Sequence, residues 1–189
     1  MIKIVSGWGG PGGSTVAFNN LVNLFNSKGR TACLYTPVKW EGVTCKWDSQ
    51  QNLKFNKDDV IIYHFMRFGK RPPVRKMILS CHETKVFPIK DQKGLVYDDV
   101  HFVSQFQKEW QGVDGQVIPN VVQKYVPRDN KFKVRCAGVL GSVDSNKRTH
   151  RSIAKALDDG HKDVRIYGAI TDLDSFNFEV LPLLGSKVS

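Results

Sequence analysis

The chain has 189 residues, 41% of them hydrophobic and 24% charged, which suits one or two ordinary globular domains. No apolar run approaches the roughly 20 residues of a membrane span, and Met1 leads straight into a strand-like run without a leader pattern, so a cytoplasmic chain is expected. The formal charge of +10 favours anionic partners, while the four scattered cysteines, with no C-x-x-C pair, argue against structural zinc.

Ile2-Lys3-Ile4-Val5 predicts a first strand. Five glycines follow within 7–13: Gly7, Gly9, Gly10, Gly12 and Gly13. Val16, Phe18, Leu21, Val22, Leu24 and Phe25 then recur at helical steps, and Gly29 closes that helix. Residues 31–35 predict a second strand. Strand, glycine loop, helix, strand is the unit that sets backbone N–H groups and a helix N-terminus on a phosphate. Glycine serves there because a Cβ would hold an anion off the amides, and because such loops visit positive φ. The bland alternative is a turn that lets helix and strand pack closely.

Gly7-x-Gly9-x-x-Gly12 fits the letter of the dinucleotide fingerprint. The second strand, however, ends in Tyr35-Thr36-Pro37, without the acid that holds a ribose hydroxyl; the first acid is Glu41, and Lys39 would serve only a 2′-phosphate. Gly7-x4-Gly12 also begins a P-loop, but Gly13 stands where the phosphate-binding lysine must be, which demotes an ATPase to a degenerate form. A sugar-nucleotide site needs neither residue.

Residues 40–56 read as polar and irregular, with Trp40 and Trp47 as anchors. Residues 60–65 are nearly all apolar, as in a strand buried on both faces of a parallel sheet. Strands are predicted over 77–81, 100–103 and 116–118, and Ser104 is placed to cap a helix through Trp110. Pro119-Asn120 stops the last strand. Alternating strands and helices predict an open parallel α/β sheet. Cys33, Cys81 and Cys136 fall in strand-like runs and read as buried thiols.

The chain turns polar over 121–133, as a linker does. The pattern then restarts: a strand over 134–140, a loop over 141–145, and a helix over 146–157 with Ile153, Ala154, Ala156 and Leu157 towards its inner face. Gly160 ends that helix, a strand follows over 164–167, and Thr171 or Asp172 caps a last helix over 173–184. Domains are therefore expected over 1–127 and 128–189, the second incomplete with only two strands.

Two basic clusters stand out. Arg67, Lys70, Arg71, Arg75 and Lys76 flank Pro72-Pro73; Lys147, Arg148, Arg151 and Lys155 lie near the start of the later helix. Each reads most simply as solvated surface, and the first would also suit an acidic membrane surface. Neither is interleaved with aromatic platforms, and no nucleic-acid-binding signature occurs, which disfavours nucleic acid.

Four segments in order resemble the retaining, nucleotide-sugar-dependent glycosyltransferases of GT-B fold. They are the glycine loop with its helix, Ser80-Cys81-His82-Glu83, Val117-Ile118-Pro119-Asn120-Val121-Val122, and the stretch from Gly138 to Lys147. The resemblance implies two Rossmann-like domains facing a cleft, the acceptor held mostly by the first and the nucleotide-sugar mostly by the second. It implies that Gly12 and Gly13 approach the donor diphosphate, with Gly9 and Gly10 lining the cleft. It matches Asn120 to the turn before the linker and Lys147 to a lysine on the diphosphate, where a fixed ammonium stabilises leaving-group charge. Ser142 stands at the diphosphate position where the family has an arginine, and the family's paired glutamates lie beyond the chain. His82, at a strand end, is matched to the histidine that contacts the transferred sugar or acceptor, with Glu83 orienting it or facing solvent. His64, in a more apolar run, reads as structural. The family usually requires no metal or other cofactor. The substrates implied are a UDP-, GDP- or ADP-hexose and a glycan, lipid or small-molecule acceptor. The contrasting expectation is a non-catalytic nucleotide- or anion-binding module.

Overall fold

A computed structural model describes residues 1–10, 12–64, 66, 69–82, 89, 93–94, 96–122, 137–141, 143, 147–168 and 170–184. The chain divides into two compact units, Met1–Tyr125 and Val126–Ser189.

The first unit carries a seven-stranded, all-parallel sheet. Its strands are β1 (Ile2–Ser6), β2 (Ala32–Thr36), β3 (Trp47–Ser49), β4 (Val60–His64), β5 (Lys76–Cys81), β6 (Asp99–Phe102) and β7 (Gln116–Val117). They lie in the order β3-β2-β1-β4-β5-β6-β7, the doubly wound Rossmann-like order that reverses between β1 and β4. Helix α1 (Gly13–Ser27) joins β1 to β2, and α2 (Gln105–Gln111) joins β6 to β7.

Both faces of this sheet are buried, which explains its nearly continuous apolar strands. Ile4, Ile62, Ala32 and Leu34 pack beneath Phe18 and Val22 of α1. Val5, Tyr63, Met77, Leu79, Val100 and Phe102 form the core on the other face. At the start of β1, Lys3 Nζ meets Asp59 Oδ2 at 2.5 Å, and both side chains are buried. Burial alone would raise the Asp59 carboxyl, but the Lys3 ammonium and the Asn56 N–H hold it below its ordinary value.

Local signals account for the helix ends. Thr15 Oγ1 accepts from Gly12 N at 2.9 Å and donates to Gly10 O at 2.6 Å, fastening the loop to the first turn of α1. Gly29, at φ 72°, lets the chain turn out of α1. Ser104 Oγ accepts from Gln107 N at 3.2 Å, as an N-cap.

Strand β3 was absent from the sequence expectation, which left 40–56 irregular. It is three residues long and sits at the sheet edge, so it shows no alternation to detect. Trp40 and Trp47 do anchor the segment, packing against the core beneath α1.

The second unit pairs β8 (Ala137–Leu140) with β9 (Val164–Tyr167) in parallel, beside α3 (Thr149–Asp158). A terminal helical run follows: α4 (Leu173–Ser175), a π-helical stretch Phe176–Val180 and α5 (Leu181–Leu184). Asp172 caps it, accepting from Ser175 N at 3.0 Å. Helix α3 starts at Thr149 rather than 146, because Arg148 adopts φ 50° and breaks the helical path there. Leu157, expected on its inner face, is exposed; Ile153 is the fully buried side chain of that helix. Among the described residues no helix is long and apolar enough to cross a membrane.

Candidate functional site at the carboxyl ends of the parallel strands

Parallel register sets one polar row across the sheet. Ser6 pairs with His64, His64 with Ser80, and Ser80 with His101, each directly opposite the next on β1, β4, β5 and β6. One row behind lie Ile4, Ile62 and Ile78, on the face that α1 covers. The apolar strands thus turn polar at the same level, near their carboxyl ends, where open α/β sheets bind ligands.

Hydrogen bonds link this row. Ser6 Oγ and His64 Nδ1 share one at 3.0 Å, and Ser80 Oγ shares one with His101 Nδ1 at 3.0 Å. His82, one residue past β5, turns back so that its Nε2 lies 3.1 Å from the same Ser80 Oγ. His101 Nε2 is 2.7 Å from the carbonyl oxygen of Ile118.

Phe18 of α1 closes the row from above. Its ring centroid is 4.7 Å from that of His82 and 5.3 Å from that of His64, edge-on to both. The His64 and His82 rings are 5.2 Å apart. This cover strips water from the imidazoles and penalises their charged forms. Burial pushes His64 down to about 4. Burial, with His64 and His101 beside it, pushes His82 down to about 3. Burial also lowers His101, though its bond to the Ile118 carbonyl pulls the other way. At neutral pH the three rings are uncharged.

His82, His101, Phe18 and Asn120 line one cavity of about 20 Å³, together with Ala17, Leu21 and the 118–121 segment. That is room for a single water. Asn20 Nδ2 donates to the Val121 carbonyl at 3.0 Å and holds this segment against α1. His82 and Asn120, selected from separate stretches of sequence, are therefore neighbours.

The glycine loop divides by role. A Cβ on Gly9 would come within 2.4 Å of Val38 Cγ2, so close packing against the turn after β2 accounts for that glycine. A Cβ on Gly10 or Gly13 would meet nothing within 4 Å. Gly12 is the N-cap of α1, and its own N–H is engaged by Gly10 O and Thr15 Oγ1. The positive φ expected of this loop is not found: among the described glycines, positive φ occurs at Gly29, Gly94, Gly112, Gly141 and Gly160. The N–H groups of Gly13, Ser14 and Thr15 open α1 and have no acceptor within the helix. The first turn contains no acid to compete for them. Trp8 projects from the loop, 65% exposed.

Lys147 lies in the turn before α3, in the second unit, and is exposed. Ser142, Glu83 and Arg67 lie outside the described residues. In the first basic cluster, Arg71 binds Asp98 Oδ1 at 2.6 Å and Lys76 binds Asp99 Oδ2 at 2.5 Å. These pairs sit at the amino end of β5, the opposite sheet edge from His82, and among the described residues of the cluster they leave Lys70 and Arg75 as the exposed cations. Burial raises the Cys33 thiol, and raises Cys45 to about 11, which keeps both from acting as thiolates.

Sequence reasoning missed Ser6, Ser80 and His101, and placed His64 with the structural residues. One signal was present: Ser6, His64 and Ser80 each interrupt an apolar run at or next to its carboxyl end. Comparison with known protein families and with characterised proteins finds no match for this chain.

Proposed function

We infer that the chain serves a retaining, nucleotide-sugar-dependent glycosyltransferase of GT-B class, moving a hexose from a UDP-, GDP- or ADP-sugar to a hydroxyl of a glycan, lipid or small molecule. The observation that carries this reading is the meeting of His82 and Asn120 in one cavity at the carboxyl ends of a parallel sheet whose first helix begins in an exposed glycine loop. Its chemistry suits an uncharged, hydroxyl-rich acceptor. A neutral imidazole and a carboxamide exchange hydrogen bonds with hydroxyls, and an exposed indole such as Trp8 offers a flat apolar face to a sugar ring.

In this reading the acceptor hydroxyl is oriented by His82 and Asn120. The donor diphosphate is assigned to Lys147, whose ammonium stabilises charge left on the nucleoside diphosphate as the sugar–phosphate bond breaks. The N–H groups opening α1 at Gly13 are, on their own, suited to an anion. No cofactor is assigned. An acidic membrane surface, if it presents a lipid acceptor, would be met by Lys70 and Arg75.

A nucleotide- or anion-binding module without catalysis is the second reading. It is favoured by the first turn of α1, which contains no acid and opens N–H groups to an anion without requiring a reacting group. Calorimetric titration with UDP, GDP and ADP, and with the corresponding glucose conjugates, separates the two when combined with a transfer assay. Sugar-dependent affinity and transfer to a hydroxyl support the enzyme. Affinity indifferent to the sugar, without transfer, supports the module.

A further inference from the structure

The protons along the histidine row follow from the acceptors that face it once the rings are uncharged. His101 Nε2 faces the Ile118 carbonyl oxygen at 2.7 Å. A carbonyl only accepts, so Nε2 carries the proton. In an uncharged ring Nδ1 is then a bare acceptor, and the Ser80 hydroxyl 3.0 Å away must donate to it. A hydroxyl has one proton. With that proton committed to His101, Ser80 Oγ meets His82 Nε2, 3.1 Å away, as an acceptor. His82 must therefore be protonated at Nε2, which leaves the lone pair on Nδ1. Among the described residues no hydrogen-bond donor reaches that nitrogen.

We propose that Ser80 and His101 are positioning residues, anchored on the Ile118 carbonyl, that lock His82 in its Nε2–H tautomer and so present Nδ1 as the hydrogen-bond acceptor for a ligand hydroxyl. The relay has a fixed direction because its far end is a backbone carbonyl, which cannot reverse its role. A lone pair of one orientation selects a donor such as a sugar hydroxyl, and the uncharged rings offer no cation to an anion. Only the identity of the hydroxyl rests on the glycosyl-transfer reading; the tautomer does not.

The test uses the full chain labelled with 15N-histidine, with long-range 1H–15N correlation spectra of the imidazoles at pH 7. His82→Gln assigns its signals. The wild type is expected to show both His82 and His101 protonated at Nε2. Ser80→Ala should leave His101 so protonated and turn His82 into a tautomer mixture, and Ser80→Thr, which keeps the hydroxyl, should restore it. Where transfer is measured, Ser80→Ala should lower kcat/KM for the acceptor by on the order of tenfold, the scale of one hydrogen bond, with donor KM unchanged. A wild-type His82 protonated at Nδ1 overturns the proposal, as does a Ser80→Ala spectrum in which His82 keeps a pure Nε2–H form. The wild-type spectrum decides even if Ser80→Ala does not fold. Absence of any transfer, with the expected spectra, would sink the enzyme reading and leave the relay standing.

Discussion

Ser6 Oγ lies 3.0 Å from His64 Nδ1, tying β1 to β4 where the strand order reverses. Both side chains are buried, and Ser6 Oγ also accepts from the Trp8 N–H at 3.3 Å. The one hydroxyl therefore joins the two central strands to the start of the glycine loop. Ser6→Ala strands buried polar partners without adding bulk, and should cost about 1–3 kcal/mol, the usual penalty for an unsatisfied buried group. The urea midpoint should fall with an unchanged slope. A midpoint equal to the wild type would show that the pair adds nothing to stability.

The same burial makes stability depend on pH. His64 titrates near 4 and His82 near 3 in the folded chain, against about 6.5 when unfolded. Above about 6.5 neither state binds these protons and the two rings add no slope. As pH falls below that value the unfolded chain takes them up first, so stability declines by about 1.4 kcal/mol per pH unit for each ring. The decline continues until the folded rings protonate, near 4 for His64 and near 3 for His82. Asp59, held low by Lys3, adds its loss only below the ordinary carboxylate range. Urea unfolding from pH 7 to pH 4.5 should show the slope, and His64→Gln should remove part of it. A flat profile would mean that the rings are hydrated.

Much of the sheet was legible because its strands are buried on both faces and so carry unbroken apolar runs. Val60–His64 and Lys76–Cys81 needed no partner to be recognised. Strand β3 carries no such run, since an edge strand of three residues owes its form to pairing with β2. The site was legible only in part. His82 stands out because a polar residue after an apolar strand marks a ligand-facing end, whereas Asn120 is singled out only by the resemblance to the glycosyltransferase turn. The row formed by Ser6, His64, Ser80 and His101 depends on register, which joins residues 58, 16 and 21 positions apart. Neither strand periodicity nor motif spacing carries that information. The start of α3 was misplaced because Arg148 takes a left-handed conformation that its residue type does not announce.

Glycine substitutions should separate packing from ligand approach. A Cβ on Gly115 would lie 2.5 Å from the Val100 carbonyl oxygen and 2.8 Å from the Phe102 ring, so strand backbone must move to admit it. Gly115→Ala should therefore destabilise by about 1–3 kcal/mol, as overpacking does. On Gly13 a Cβ would meet open space, in the first turn of α1. Gly13→Ala should leave the thermal midpoint unchanged or slightly raised, because alanine is the better helix former. If an anion is held by the N–H groups of that turn, the same substitution should weaken nucleoside diphosphate binding. Full affinity in Gly13→Ala would place the anion elsewhere.

The two basic regions allow a paired test of where the nucleotide is held. Lys147 precedes α3 in the second unit, whereas Lys70 and Arg75 are exposed cations of the proline-flanked cluster, whose Arg71 and Lys76 are already committed to Asp98 and Asp99. An ammonium hydrogen-bonded to a diphosphate contributes on the order of 1–3 kcal/mol, so Lys147→Ala should raise the Kd for UDP, GDP or ADP by roughly ten- to a hundredfold. The double variant Lys70→Ala, Arg75→Ala should leave that Kd within about twofold, because these two cations are assigned no contact with the diphosphate and exposed charges are screened by salt. It should instead reduce binding to vesicles containing anionic lipid if the cluster meets a membrane. Calorimetry for the nucleotide and vesicle co-sedimentation for the lipid read the two effects separately. Normal nucleotide affinity in Lys147→Ala, with loss in the double variant, would move the donor site to the amino-terminal edge of the sheet and overturn the assignment of Lys147.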